Sequence, residues 1–243
     1  MDKVGITERG DAGLDFSWVE KIDQTAFSIL ITKNLNDRFI EEVLKKKEKI
    51  IVHATITGMG GTKIEPNVPD LDWSISQLRK MITSGFPANQ IVLRIDPIFP
   101  TERGLQTARS VLVRASGLDI KRCRISVVDS YKHVRNRFAA TKIPFPEFNL
   151  QEAYDLVLKT FSPYFDRWDF EACAEGLPFR CGCISDRDAA ILGIDADLIG
   201  RKEQRKGCLC PKNKLELLGH CQRCQHQCLY CYWCDSVQKR LEQ

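Results

Sequence analysis

The sequence predicts an α/β protein organised as a partial (β/α)6 barrel of the TIM-like kind. Three observations lead there. From residue 1 to about 175, short β-branched runs alternate with amphipathic stretches of helical period, the mark of a parallel sheet flanked by helices. Within several of those runs apolar and polar residues alternate with period two, so each strand has one apolar and one polar face. Past residue 175 this rhythm stops and cysteines dominate, so 1–175 is read as the barrel and 176–243 as a cysteine-rich, metal-bound lid over its mouth.

Strands are expected over 3–8, 27–33, 50–56, 91–96, 124–129 and 168–174. Helices are expected near 16–24, 36–48, 71–84, 102–117, 132–140 and 150–161, with Asp70 and Asn149 as N-caps of the third and the last. In the second strand Ser28, Leu30 and Thr32 share a face, continued by Asn34. In the third, Ile50, Val52, Ala54 and Ile56 should meet the helices, which turns His53, Thr55 and Thr57 inward. In the fourth, Ile91, Leu93 and Ile95 face outward while Arg94 and Asp96 point into the lumen. The fifth does not alternate cleanly; the sixth places Glu171, Cys173 and Glu175 on one face.

A barrel filled only for stability would carry Val, Ile and Leu inside. Charged groups there are costly unless paired or used, so an open barrel holding a polar ligand at its C-terminal mouth is expected. Arg94, Asp96 and His53 are the candidate catalytic residues, with Tyr131, Glu175 and Cys234 as further candidates for hydrogen relay. The structural alternative is that Arg94 and Asp96 pair with each other or with Glu171, and that His53 is a satisfied interior histidine. The turn Thr57-Gly-Met-Gly-Gly-Thr62 lets backbone approach a ligand closely, so Gly58, Gly60 and Gly61, with Asn34 and Tyr230, are candidate cofactor contacts.

A chain of 243 residues with 43% hydrophobic and 28% charged residues fits one large globular domain. It has no run of eighteen apolar residues, and its start, Met-Asp-Lys-Val-Gly-Ile-Thr-Glu-Arg, lacks the layout of a signal peptide. A cytoplasmic protein with no membrane partner is therefore expected, and its 11 cysteines read as metal ligands before disulfides. Net charge of +4, with basic runs at Lys45–Lys47 and around Arg201–Lys206, permits nucleic-acid binding without requiring it.

The densest chemistry lies near the C-terminus. Cys224, Cys228 and Cys231 form C-x3-C-x2-C with Tyr230 directly before the last cysteine. Three thiolates this close can hold three irons of a [4Fe-4S] cluster and leave the fourth iron open to a small chelating molecule. Zinc is the alternative metal, since cysteines at these spacings can also make a tetrahedral thiolate site.

The C-x3-C-x-aromatic-C spacing resembles that of the radical S-adenosylmethionine enzymes. Together with Gly5-Ile-Thr-Glu-Arg-Gly-Asp11, Thr32-Lys-Asn34, Thr55-Ile-Thr-Gly58, Glu65-Pro-Asn-Val-Pro69, Arg94-Ile-Asp-Pro-Ile-Phe99 and Cys173-Ala-Glu175, it is similar to an uncharacterised family of bacterial and phage proteins, distantly like spore photoproduct lyase. That resemblance implies a radical enzyme whose open cluster binds S-adenosyl-L-methionine and cleaves it to a 5′-deoxyadenosyl radical. It implies a reducing partner such as flavodoxin or ferredoxin, and DNA or other nucleic acid as one substrate class. It also implies a second metal site on Cys173, Cys183, Cys208 and Cys210, a second [4Fe-4S] cluster or zinc, with Cys181 and Cys221 as substitutes. Two features depart from that pattern: the cysteine motif follows the barrel instead of its first strand, and Gly60-Gly61 is followed by Thr62 where those enzymes have glutamate. Two other readings stay open, a zinc-stapled nucleic-acid-binding module and a non-catalytic iron-sulfur redox or sensor protein.

Overall fold

The computed structural model describes residues 3–173, 175–195, 209–211, 213–219 and 224–232. Seven strands form one sheet: β1 (Val4–Ile6), β2 (Ser28–Thr32), β3 (Ile50–Thr55), β4 (Ile91–Ile98), β5 (Arg122–Val127), β6 (Asp169–Glu171) and β7 (Lys214–Glu216). Every pairing is parallel, and the order is β7-β1-β2-β3-β4-β5-β6. Among the described residues β6 and β7 do not pair, so the hydrogen-bonded sheet has two edges. The connecting helices are α1 (Trp18–Lys21), α2 (Asp37–Lys45), α3 (Leu71–Thr83), α4 (Glu102–Ala115), α5 (Lys132–Ala140), α6 (Leu150–Phe161) and α7 (Asp186–Ile191).

Local chemistry explains most helix starts. Asp70 accepts from Trp73 N–H at the head of α3, and Asn149 accepts from Gln151 and Glu152 N–H at the head of α6, as their positions in sequence suggested. Asn36 and Thr101 do the same for α2 and α4. The helix expected over 16–24 is shorter: α1 gives way to a 3-10 turn at Ile22–Gln24.

The period-two reading of the strands holds. Ile50, Val52, Ala54, Ile91, Leu93 and Ile95 pack under α2, α3, α4 and α6 in the main core, which also takes Trp18, Phe39 and Phe161. The fifth strand alternates after all: Cys123, Ile125 and Val127 enter that core, leaving Arg122, Arg124 and Ser126 on the other face. It looks irregular in sequence because it ends at Val127, and Val128 already belongs to a separate cluster at the mouth. Cys123 is fully buried in the main core and behaves as a small apolar residue.

The cysteine-rich segment differs from a plain lid. It supplies β7, which adds to the sheet beside β1, and Leu217 and Leu218, which join the main core. It also supplies α7, whose Ala189, with Ile184, covers Val4, Ile6, Phe27, Ile29, Ile51 and Val92 on the inner face. Those residues lie toward the strand starts, so α7 plugs the end opposite the mouth. The inner face is thus largely apolar under α7, apart from Asp188 of that helix and Arg122 at the start of β5, and polar toward the C-terminal strand ends.

Since Leu217 is fully buried, replacing it with Ala should cost about 2–5 kcal/mol of stability. Urea unfolding of L217A tests this; an unchanged midpoint would mean that the cysteine-rich segment does not belong to the core.

Candidate functional site

At the C-terminal ends of the strands lies a cavity of about 880 Å³. Its wall includes both sets of cysteines singled out in the sequence: Cys224, Cys228 and Cys231, and Cys173, Cys183 and Cys210. Cys208, Cys221 and Cys234 lie outside the described residues.

The first set sits on two successive tight turns. Gln227 N–H donates to Cys224 O and Cys231 N–H to Cys228 O, each at 3.2 Å. Five hydrogen bonds from the loops that follow β1 and β3 fix this loop. The ring nitrogens of His226 lie 2.8 Å from Asp11 Oδ2 and 3.1 Å from Asn67 O. Both partners are acceptors, so the arrangement suits an imidazolium with a proton on each nitrogen. Tyr230 donates its hydroxyl to the buried carboxylate of Glu65, which also accepts from Lys33 Nζ at 3.0 Å and Thr57 Oγ1 at 2.6 Å. Leu229 N–H donates to Ile64 O, and Asn67 Nδ2 donates to Gln225 O at 2.7 Å. Leu229 also packs with Phe99, Val128, Val134 and Phe138, which ties the loop to α5.

Asp11 anchors this assembly. Its carboxylate accepts from Thr32 Oγ1 at 2.5 Å, Lys33 N–H at 2.6 Å and Gly13 N–H at 2.8 Å besides facing His226. Burial pushes its pKa up, but the bond and charge of His226 with the other donors leave it below its ordinary 3.8. Burial raises Cys224 to about 11 and Cys228 to about 12, so both are thiols at neutral pH, and a bound metal would displace their protons.

The second set is more compact. The sulfurs of Cys173, Cys183 and Cys210 all lie within 4.8 Å of one another, and they are the one such group of three among the described residues. Cys183 Sγ is 3.5 Å from Cys173 Sγ, and Cys183 N–H donates to Cys210 Sγ at 3.0 Å. Contact with Cys173 and Cys210, helped by the charges of Arg124 and Arg94, draws the Cys183 thiol well below its ordinary range. The same contact pushes Cys173 up to about 12. The fold assembles this trio from afar: Cys173 follows β6, Cys183 follows the bridge between Ala172 and Arg180, and Cys210 precedes β7. Three converging thiols fit a single thiolate-bound metal ion.

Arg94, Asp96, Tyr131, Glu175 and Tyr230 line the cavity. Arg94 pairs with Asp96, which also accepts from Ser126 Oγ at 2.6 Å. Burial, then the charges of Asp96 and Asp129, raise Glu175 to about 7. His53 lies outside the lining; it is fully buried, and neither ring nitrogen has a partner among the described residues. Burial and the neighbouring arginines hold it neutral. Gly58, Gly60, Gly61 and Asn34 are also absent from the lining. Gly58 and Gly61 have positive φ, and a Cβ on Gly60 would sit 1.9 Å from Pro69 O, so these glycines serve the turn itself.

Sequence reasoning missed Asp11, Lys33, Glu65 and His226 as site residues, although three of them stand in the segments quoted above. It also missed a buried chain of ion pairs on the inner face. Asp188 Oδ1 meets Arg122 Nη1 at 2.7 Å, Glu171 Oε1 meets Arg122 Nε at 2.7 Å, and Glu171 Oε2 meets Arg124 Nη2 at 2.6 Å.

Replacing Asp11 with Asn should cost about 1–3 kcal/mol at neutral pH, because a charged acceptor is lost among buried donors. Asp11 has its pKa lowered by folding, so its contribution is present above 3.8 and is lost as the pH falls through the folded value. Urea titrations of D11N and wild type should therefore differ at pH 7 and converge in acid.

No curated protein and no solved structure matches the chain. Residues 17–233 match the family model described as "Domain of unknown function (DUF1848)", and the chain belongs to that family.

Proposed function

We propose that this chain is an iron-sulfur enzyme of the radical S-adenosylmethionine type, working at the mouth of a partial (β/α) barrel. The observation that supports this most is the seating of Cys224, Cys228 and Cys231 on the wall of a cavity at the C-terminal strand ends, on a loop fixed by Asp11, Asn67 and Glu65. Those three cysteines would hold three irons of a [4Fe-4S] cluster and leave the fourth without a protein ligand. When bound, such a cluster supplies the electron that cleaves S-adenosylmethionine to a 5′-deoxyadenosyl radical.

The chain's own residues position and shield. Lys33, partly buried and paired with Glu65, places a positive charge near Cys228 of the cysteine loop. Tyr230 packs edge-on to Phe99 with ring centroids 6.2 Å apart, which keeps water from that side of the motif. Arg94, Asp96 and Glu175 line the same cavity and would face a substrate there, with Tyr131 half exposed among the lining residues. A nucleic acid is the substrate class in view, with flavodoxin or ferredoxin as electron donor and the cytoplasm as the setting.

The compactness of Cys173, Cys183 and Cys210 favours zinc there over a second cluster. A tetrahedral ion with bonds of about 2.3 Å holds thiolates about 3.8 Å apart, whereas a cubane binds each cysteine to a different iron and spreads them further. Anaerobically purified protein should therefore carry about four irons and one zinc per chain, and should release 5′-deoxyadenosine on reduction with S-adenosylmethionine. The Cys228→Ala variant should lose the irons and keep the zinc. Iron with no 5′-deoxyadenosine would point to a redox or sensor protein, and zinc alone to a zinc-stapled binding module.

A further inference from the structure

Arg124 stands out among the buried side chains. It is 2% exposed, yet it lines the cavity together with Cys173, Cys183 and Cys210. One nitrogen, Nη2, serves two partners: Glu171 Oε2 at 2.6 Å and Cys181 Sγ at 3.5 Å. Its Nε and Nη1 have no partner among the described residues. Unpaired guanidinium donors inside a protein are expensive, so a native arrangement normally gives them an acceptor.

Register shows which acceptor is near. Arg124 pairs across the sheet with Arg94 on one side and Glu171 on the other. Cys173 lies two residues beyond Glu171 in the chain, and both Cys181 and Cys183 fall within the electrostatic reach of Arg124. The carboxylates already have partners: Glu171 is bound by Arg122 and Arg124, and Asp96 by Arg94 and Ser126. Thiolates gathered on a metal are the remaining anionic group close by, since a zinc ion with three or four thiolates carries net negative charge.

We propose that Arg124 is a positioning residue for the Cys173, Cys183 and Cys210 centre, directing its spare N–H groups to metal-bound thiolate sulfur and offsetting the negative charge of the site. Arg122, Glu171 and Asp188 hold Arg124 in place, as outer partners orient ligands in metal sites generally. The inference rests on reading that cysteine trio as a metal site.

The test compares metal affinity in the full chain, using cobalt(II) absorption and competition between zinc and a chromophoric chelator. The signal lost in Cys173→Ser defines the site. Removing Arg124 alone would leave Glu171 Oε2 without its arginine, so the main variant is the double change Arg124→Met with Glu171→Gln, which removes both charges of that contact and leaves Arg122 paired with Asp188. Zinc affinity should fall on the order of 10–100-fold in the double variant and should not fall in Glu171→Gln alone, because that change removes a nearby negative charge. Equal losses in both would indicate support of the local fold and overturn the proposal. So would wild-type affinity in a folded double variant, with the metal site itself left standing. A wild-type protein lacking any Cys173-dependent cobalt band would overturn the metal reading and this inference together.

Discussion

Burying charge on the inner face of a parallel sheet is the constraint on which the rest of this structure depends. Arg122, Arg124, Glu171 and Asp188 are all at least 94% shielded from solvent, and each survives there because an opposite charge lies within hydrogen-bond distance. Removing one member would leave its partner charged and dry, which is why such networks act as a unit. The ion pairs also fix where the chain can go. Asp188 binds Arg122 through one oxygen and caps α7 through the other, accepting from Ser185 N–H at 2.7 Å. The plug at one end of the sheet and the cysteines near the other are thereby joined through four side chains.

Much of this was legible in the sequence where physics acts at short range. Period-two alternation placed Arg94, Asp96 and Thr55 on the inner face and Ile91, Leu93 and Ile95 beneath the helices, because adjacent residues of a strand must face opposite ways. The caps at Asp70 and Asn149 were readable for the same reason. What escaped was long-range partnership. Asp11 and His226 are 215 residues apart, and Glu65 and Tyr230 are 165 apart, so no local pattern links them. The seventh strand escaped because Lys214–Glu216 is a short stretch in the cysteine-rich segment, beyond the point where strands and helices stop alternating. The glycines of 58–61 read ambiguously in sequence because the same freedom of backbone serves a ligand or a close crossing of Gly60 over Pro69.

The sheet's open seam gives the two cysteine sets different work. Cys173 comes from the β6 edge and Cys210 from the β7 edge, and among the described residues no backbone pairing joins those two strands. A metal ion on these sulfurs would tie the edges together, doing with coordination bonds what hydrogen bonds do elsewhere in the sheet. The other set hangs on side-chain contacts and one backbone hydrogen bond, Leu229 N–H to Ile64 O, on a loop that takes no part in the sheet.

That arrangement bears on how the molecule is built. Asp11, Lys33, Glu65 and Asn67 leave the ribosome well before Cys224, and the strands that precede them pair with one another and not with residues 224–232. The cradle for the cysteine loop therefore precedes the loop during synthesis. Closure across 215 residues comes last, so a metallocofactor delivered to this loop would meet a finished receptacle, and maturation would act on a protein already folded.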